Sequence, residues 1–502
     1  MENEKYWSDQ LAADPDLFRR ESLIGIFRKV AACQPDRPAV VCENASLTYR
    51  ELDRMSDQAA RKLASENLKP GSAVAVMAGR SVETVIGILG IWKCGCVYLF
   101  LDRKYPAQRN RECMEECATQ EVITPEWIQE AVEEESDEPF EERGEKNRLA
   151  AIVYTSGSTS RPKGVLLTNR NILTSVSNYK ELGITGADRY ACFASMMFVA
   201  SLFDLCVSLL TGACLYLIPA EIRKSIKSLA KYYRDNRITV TFLPPHMAVK
   251  YAQCDEGSPL KVLICGSESA RNLRSRSYRI AHVYASTEAC AIVSIYWIKD
   301  SRSHYPAGKL VPTIRAWVVD KTGKPVPAGV SGELWLSGPQ ICAGYLKLPE
   351  KNHASFIQNP FTREPGYEII YKTGDSASID RDGTLNIFGR QDDMVKVRGF
   401  RIELTAVENC MMRFPTVEEA CCKAFCDKGG ENILIGYYTA NGEVNHDQLR
   451  EYIGRNLPYY MIPSALIRLD EMPRSANYKI DRSALKAPAE INDYKLLSKK
   501  YH

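Results

Sequence analysis

Apolar residues recur along this chain with two different periods, and the dominant period changes from one region to the next. In "LTYRELDRMSDQAARKLASE", Leu52, Met55, Ala59 and Leu63 fall on one helical face, and Thr48 with Glu51 forms a capping box ahead of it. "SAVAVMA" then reads as a strand, residues 81–93 as a helix and "CVYLFLD" as a strand, which is a βαβ unit. Between residues 150 and 295 short apolar runs return as "AAIVY", "ITVTFLP", "KVLICG" and "AHVYAS", with helical stretches between them. Continuous apolar runs of this length suit strands buried on both faces of a parallel sheet. Further on, "IRAWVVDKTGKPVPAGVSGELWLSG" predicts a hairpin turned at Lys-Thr-Gly-Lys, and "SASIDRDGTLNIFG" a second hairpin turned at Asp382-Gly383. After "GRQDDMVKVRGFRIEL" a separate α/β segment runs to the end. The expected fold class is α/β: a large N-terminal domain, residues 1–391, of doubly wound sheets plus a β-rich subdomain, followed by a small α+β C-terminal domain, residues 392–502.

Composition narrows the classes of function. A chain of 502 residues exceeds what a single core usually supports, so two or more domains are expected. Its 65 basic and 62 acidic side chains leave a net charge of +3, which provides no overall field for nucleic acid or a lipid surface. Any anion site must be local. The longest apolar region, "VETVIGILGIWKCGCVYLFLD", contains Lys93 and three glycines and divides into a helix and a strand, so no membrane span is expected. "MENEKYWSDQ" has no apolar signal region. Seventeen cysteines without a regular framework point to a reducing cytoplasm. Cys113/Cys117 and Cys422/Cys426 have helical spacing but no histidine nearby in sequence, so buried thiols are expected rather than zinc. The acidic residues between 130 and 146 read as a solvated connector.

The densest chemistry lies in "YTSGSTSRPKGV", Tyr154 to Val165. It follows a strand-like run, so it is expected to be a loop. Gly157 and Gly164 permit close backbone approach, and Thr155, Ser156, Ser158, Thr159 and Ser160 supply hydroxyl donors. Lys163 and Arg161 add charge-assisted hydrogen bonds. Such a collection suits phosphate oxygens, although the spacing does not follow the Walker pattern.

Four further runs follow in order: "VYASTEA", "YKTGD", "GRQDDMVKVRGFRIEL" and "NYKIDR". Together with the loop they resemble the adenylate-forming (ANL) superfamily, specifically stand-alone adenylation domains of the nonribosomal-peptide-synthetase type and the similar D-alanyl carrier protein ligases. The resemblance runs from "LTYREL" to "NYKIDRSAL" and implies ATP and Mg²⁺ as reactants, a mobile C-terminal domain, and a carrier protein with a phosphopantetheine arm as partner. By that resemblance Lys479 reaches both the substrate carboxylate and the phosphate, Thr287 binds phosphate and Glu288 ligates Mg²⁺. Tyr284 stacks on adenine, Asp375 accepts both ribose hydroxyls, and Arg390 lies near ribose or phosphate. Asp392 is the hinge, and Lys396, Arg398 and Gly399 face the pantetheine arm in the thioester-forming pose. Chemistry supports these residue types, because joining a carboxylate to the α-phosphate of ATP brings two anions together and requires cations to converge there.

The chain also departs from the family pattern. Ala285-Ser286 replaces a usual Gly-Pro, which implies a less rigid turn, while Ser160, Ala343 and Tyr478 stand where Gly, Arg and Gly are usual. Ungapped matching places Val199 where amino-acid enzymes carry the Asp that pairs with the α-ammonium. The remaining lining is Ala200, Phe203, Phe242, Leu263, Cys265, Val283, Ala291 and Ile292, nearly all apolar. Such a pocket favours an aryl, hydroxy, keto or short fatty acid lacking an α-amino group. Alternatives stay open: Asp204 enters the pocket after a local shift, Cys265 marks a D-alanine ligase, coenzyme A replaces the carrier protein as acceptor, or the altered motifs mark a catalytically degenerate scaffold.

Overall fold

The computed structural model describes residues 7, 11, 14, 16–43, 45–77, 79–103, 105–119, 121–143, 147–155, 162–254, 256–266, 270, 272–274, 277–302, 305–390, 394–427, 430–473 and 480–488, with backbone alone at 246, 390 and 401. It divides into two compact units. One comprises residues 1–102, 114–154 and 164–389, and the other residues 103–113, 155–163 and 390–502.

In the first unit the hairpin β1 (Pro38–Cys42) and β2 (Ala45–Thr48) leads into helix α1 (Tyr49–Ser65). The capping box is present, with Thr48 Oγ1 accepting from Glu51 N–H and Glu51 reaching back to the Thr48 N–H. Strands β3 (Ala73–Val76) and β4 (Val97–Phe100) flank helix α2 (Val82–Lys93), as the βαβ pattern predicts, and run parallel in register Ala73↔Val97. With β5 (Glu121–Ile123), β6 (Leu149–Thr155) and β7 (Lys163–Thr168) they make a sheet ordered β5-β3-β4-β6-β7. Helix α3 (Pro125–Glu134) opens the acidic stretch. That stretch is less free than expected. Asp137 pairs with Arg54 at 2.7 Å, Glu130 with Lys62 at 2.7 Å, and Gln58 donates to Val132 and Glu135 carbonyls, so α1 carries the complementary charges.

Lys93 ends α2 with its side chain fully enclosed. Its ammonium lies 2.6 Å from Asp53 Oδ1 and 2.7 Å from Asp57 Oδ1, both on α1, and Arg28 meets Asp57 at 2.8 Å. Burial pushes the lysine down from its usual range, and the two carboxylates act against that push. No helix among the described residues is long and apolar enough to cross a membrane.

A nine-stranded sheet follows. Its members are β8 (Arg189–Cys192), β9 (Cys214–Leu217), β10 (Val240–Leu243), β11 (Val262–Gly266), β12 (Arg279–Ser286), β13 (Ala291–Ile298) and β14 (Lys309–Leu310), joined by β1 and β2 in the order β14-β13-β12-β11-β10-β8-β9-β1-β2. Helices α4 (Asn169–Val176), α5 (Val199–Thr211), α6 (Ile226–Asp235) and α7 (Pro245–Gln253) lie between the strands in sequence. Alternate strand residues face opposite sides. Ala191, Leu243, Leu263, Cys265 and Ile280 pack with Leu229 and Tyr233 of α6 and Tyr251 of α7. Tyr190 points to the other side and donates to Asp204 Oδ1 of α5 at 2.8 Å, so α5 covers the opposite face. Each fully buried aliphatic side chain in these layers contributes roughly 1.5–3 kcal/mol.

The β-rich region contains β15 (Arg315–Val319), β16 (Gly332–Ser337), β17 (Phe356–Gln358), β18 (Ile369–Ile379) and β19 (Leu385–Arg390). The turn at Asp382-Gly383 is where the sequence predicts it, with Gly383 at φ 81°. The Lys-Thr-Gly-Lys turn closes only an isolated bridge, Val319↔Pro325, and the true partner of β15 begins later, at Gly332. In the second unit β20 (Met394–Val397) and β21 (Phe400–Glu403) form a hairpin whose two turn residues, Arg398 and Gly399, have φ 51° and 82°, as a tight I′ turn requires. Helix α8 (Leu404–Met412), strands β22 (Val417–Cys426), β23 (Asn432–Ala440) and β24 (Ala465–Arg468), and helix α9 (His446–Asn456) close a core around Val407, Met411, Leu434 and Ile453.

Candidate functional site

The turn between β12 and β13 carries the expected phosphate and cation residues. Tyr284 to Ser286 end β12, Thr287 to Cys290 form the turn, and Ala291 opens β13. Cys290 and Ala291 have φ 49° and 89°, a left-handed path that costs a non-glycine residue roughly 1–3 kcal/mol and needs support from its surroundings. That support is visible. Gln340, fully buried, donates through Nε2 to Ala289 O at 2.7 Å and Ile292 O at 2.8 Å, and its Oε1 accepts from Asn178 Nδ2 at 3.1 Å. Ser286 Oγ accepts the Ala289 N–H at 3.2 Å, a fixing contact that the expectation of a looser Ala-Ser turn did not foresee.

Glu288 is completely enclosed. Its Oε1 accepts the Tyr345 hydroxyl at 2.9 Å, and its backbone carbonyl accepts the Cys342 N–H at 2.8 Å. Neither Tyr345 nor Gln340 was named from the sequence. The available signal was their place in the segment where Ala343 departs from the family pattern. Among the described residues no cluster of three or more His, Cys, Asp or Glu could hold a metal ion. A single hard carboxylate remains compatible with Mg²⁺, which is usually bound through one or two carboxylates together with substrate phosphates.

Asp375 lies on β18 and is nearly buried. The Tyr284 hydroxyl donates to its Oδ2, its N–H donates to Thr373 Oγ1 at 2.9 Å, and Thr373 Oγ1 donates to Leu334 O at 2.8 Å. The expected adenine and ribose residues are therefore in direct contact.

Of the expected phosphate loop, Ser156, Gly157, Ser158, Thr159, Ser160 and Arg161 lie outside the described residues, as do Asp392, Tyr478 and Lys479, and of Arg390 only the backbone is described. Thr155 ends β6, and its buried hydroxyl has no hydrogen-bond partner among the described residues. Lys163, which begins β7, is almost wholly buried, with Nζ 2.6 Å from Glu403 Oε1, both within the second unit. Lys396 stands on β20, and Arg398 Nε donates to Glu431 Oε1 at 2.6 Å.

The expected acid-pocket residues divide by element. Val199 and Ala200 start α5 and are half-buried, Phe203 follows on the same helix, and Phe242 on β10 is half-buried. Val283, Ala291 and Ile292 border the β12–β13 turn and are buried. Leu263 and Cys265 are fully enclosed in the α6/α7 cluster, on the sheet face that Tyr190 and α5 do not share. Burial pushes the Cys265 thiol up to about 12. Asp204 is also fully enclosed, its Oδ1 held by Tyr190.

Residues 27–346 match the AMP-binding enzyme family and residues 406–479 the AMP-binding enzyme C-terminal domain. The chain is 32% identical over 479 residues to bacitracin synthase 1 of Bacillus licheniformis, covering 92% of this chain but 9% of that protein. It is 32% identical over 493 residues to tyrocidine synthase 1 of Brevibacillus parabrevis, covering 93% of this chain and 45% of that one. Thus the chain spans less than half the length of these curated relatives. Among solved structures, an artificially fused adenylation–PCP di-domain from Klebsiella oxytoca superposes with TM-score 0.80 at 24% identity, over 90% of this chain and 94% of the other. o-Succinylbenzoate CoA synthetase from Bacillus subtilis gives TM-score 0.81 at 23% identity, over 92% and 98%. With both family matches in chain order, the chain belongs to the AMP-binding enzymes.

Proposed function

We propose that the chain activates an apolar carboxylic acid as acyl-AMP and passes the acyl group to the phosphopantetheine thiol of a separate carrier protein. A carboxylate oxygen attacks the α-phosphorus of ATP, forming the P–O bond as pyrophosphate leaves. The thiol sulfur then attacks the acyl carbonyl, loses its proton, and expels AMP. Asp375 accepts the ribose hydroxyls, Tyr284 packs on adenine and keeps its hydroxyl on Asp375, and Thr155 with the residues that follow it receives the phosphates. Thr287 binds phosphate, and Glu288 is the group that would hold Mg²⁺, which supplies positive charge against the phosphate oxygens when bound. Lys479 neutralises the meeting anions, and Asp392 is the pivot between the two half-reactions, at the boundary between domains 1–391 and 392–502.

One observation carries the substrate class: Val199 occupies the first position of α5, and the nearest acid on that helix, Asp204, is sealed against Tyr190. An α-ammonium buried there without a partner would cost several kcal/mol. The test is ATP–pyrophosphate exchange with amino, hydroxy, keto, aryl and fatty acids, run on the protein and on Val199→Asp. Exchange with non-amino acids, and a turn toward amino acids in the variant, is expected. Exchange with amino acids alone would defeat the substrate reading, and none with any acid would defeat the enzymatic one. The likeness to a CoA synthetase keeps coenzyme A as the second acceptor. Turnover with coenzyme A and none with carrier protein would decide for it.

A further inference from the structure

The segment from Gln340 to Tyr345 holds the Glu288 turn from three directions. Gln340 grips the carbonyls of Ala289 and Ile292, the Cys342 N–H meets the Glu288 carbonyl, and the Tyr345 hydroxyl meets the Glu288 carboxylate. Tyr345 is itself fixed. Its backbone N–H donates to Asn352 Oδ1 at 2.7 Å and its carbonyl accepts from Asn352 Nδ2 at 2.9 Å. Its ring is buried edge-on against Phe356 at 5.4 Å, with the Lys351 ammonium 6.0 Å from the ring centre. It also forms an antiparallel bridge with Val165, and the neighbouring Leu346 N–H donates to Gly164 O at 2.8 Å, so the strand leaving the phosphate loop is anchored to the same residue.

We propose that Tyr345 is a positioning residue for the cation-binding carboxylate: its hydroxyl fixes the orientation of Glu288, and its backbone ties that carboxylate to β7, the strand that follows the expected phosphate loop in sequence. A carboxylate sealed from water and carrying a directed hydrogen bond has few orientations left, and a partner that orients a ligand typically changes metal affinity about 10–100-fold when removed. This inference rests on the reading of Glu288 as the group that holds Mg²⁺.

The experiment compares Tyr345→Phe, Glu288→Gln and the double variant with the unaltered protein. It measures the Mg²⁺ concentration for half-maximal exchange at fixed ATP, and Mn²⁺ binding in the presence of a non-hydrolysable ATP analogue by electron paramagnetic resonance. Tyr345→Phe keeps the ring against Phe356 and the backbone clamp with Asn352. Expected are a shift of about 10–100-fold toward weaker cation binding, an unchanged KM for the acid, and no further shift when Tyr345→Phe is added to Glu288→Gln. If Glu288→Gln shifts the cation dependence and Tyr345→Phe leaves it within twofold, the positioning role is overturned while the proposed function stands. If neither shifts it, the assignment of Glu288 falls, and this inference with it. Should Tyr345→Phe fail to fold, 3-fluorotyrosine at position 345 alone retains the donor. Its ¹⁹F resonance is expected to move on adding Mg²⁺ with ATP, and a stationary resonance in the folded protein would overturn the proposal.

Discussion

Asp204 shows how much one buried carboxyl can carry. It lies five residues after Val199, which on a helix of 3.6 residues per turn puts the two about 140° apart. Its Oδ1 accepts from Tyr190, and its Oδ2 has no hydrogen-bond partner among the described residues. Burial pushes its pKa up to about 7, opposed by the hydrogen bond from Tyr190 and by the Arg80 charge. Because the folded carboxyl is raised above its ordinary value of 3.8, the native state binds more protons than the unfolded chain between there and about 7, and stability falls as pH rises across that window. Asp204→Asn removes the titration while keeping an acceptor for Tyr190. Urea unfolding at several pH values between 4 and 7 should show that component of the slope missing in the variant. Identical slopes would reject the account. Nothing in the local sequence announces Tyr190 as the partner, because the pair meets only once α5 lies on the sheet.

Elements whose determinants are local were legible in the chain. The capping box at Thr48 and Glu51 and the hairpin at Asp382-Gly383 form as read, each set by residues within a few positions of one another. The Lys-Thr-Gly-Lys turn was placed correctly but its strand partner was not, since β16 meets β15, from Glu333 to Ser337, only after a further loop. The support of the β12–β13 turn is a longer-range matter: Gln340 reaches carbonyls 51 and 48 residues away in sequence. Gln340→Met keeps the length and removes the amide. Two buried carbonyls then lose their donors, at a cost of about 1–3 kcal/mol each. A lowered Tm and a changed acid profile in the exchange panel are expected, because Ala291 and Ile292 sit on the released backbone. A stability loss below about 1 kcal/mol with the same profile would show that the amide does not hold the turn.

At the scale of the whole molecule, the order of motifs along the chain was enough to identify the family, while the grouping of segments was not. Residues 103–113 and 155–163 belong by packing to the same compact unit as 390–502, a grouping that linear reading cannot supply because it depends on which surfaces meet after folding. Lys93 makes the same point. In the sequence it interrupts an apolar run and argues against a membrane span. In the structure it is sealed between two carboxylates of α1. An amine wrapped in this way is shielded from acylating reagents, whereas Lys321 and Lys324 on the surface are open to them. Its modification therefore has to wait until α1 and α2 part. In a timed acetic anhydride experiment read by mass spectrometry, Lys321 and Lys324 should react promptly and Lys93 slowly, and prompt reaction at Lys93 would contradict its enclosure. This one ammonium then serves as a built-in clock, counting how often the first layers of the chain breathe open.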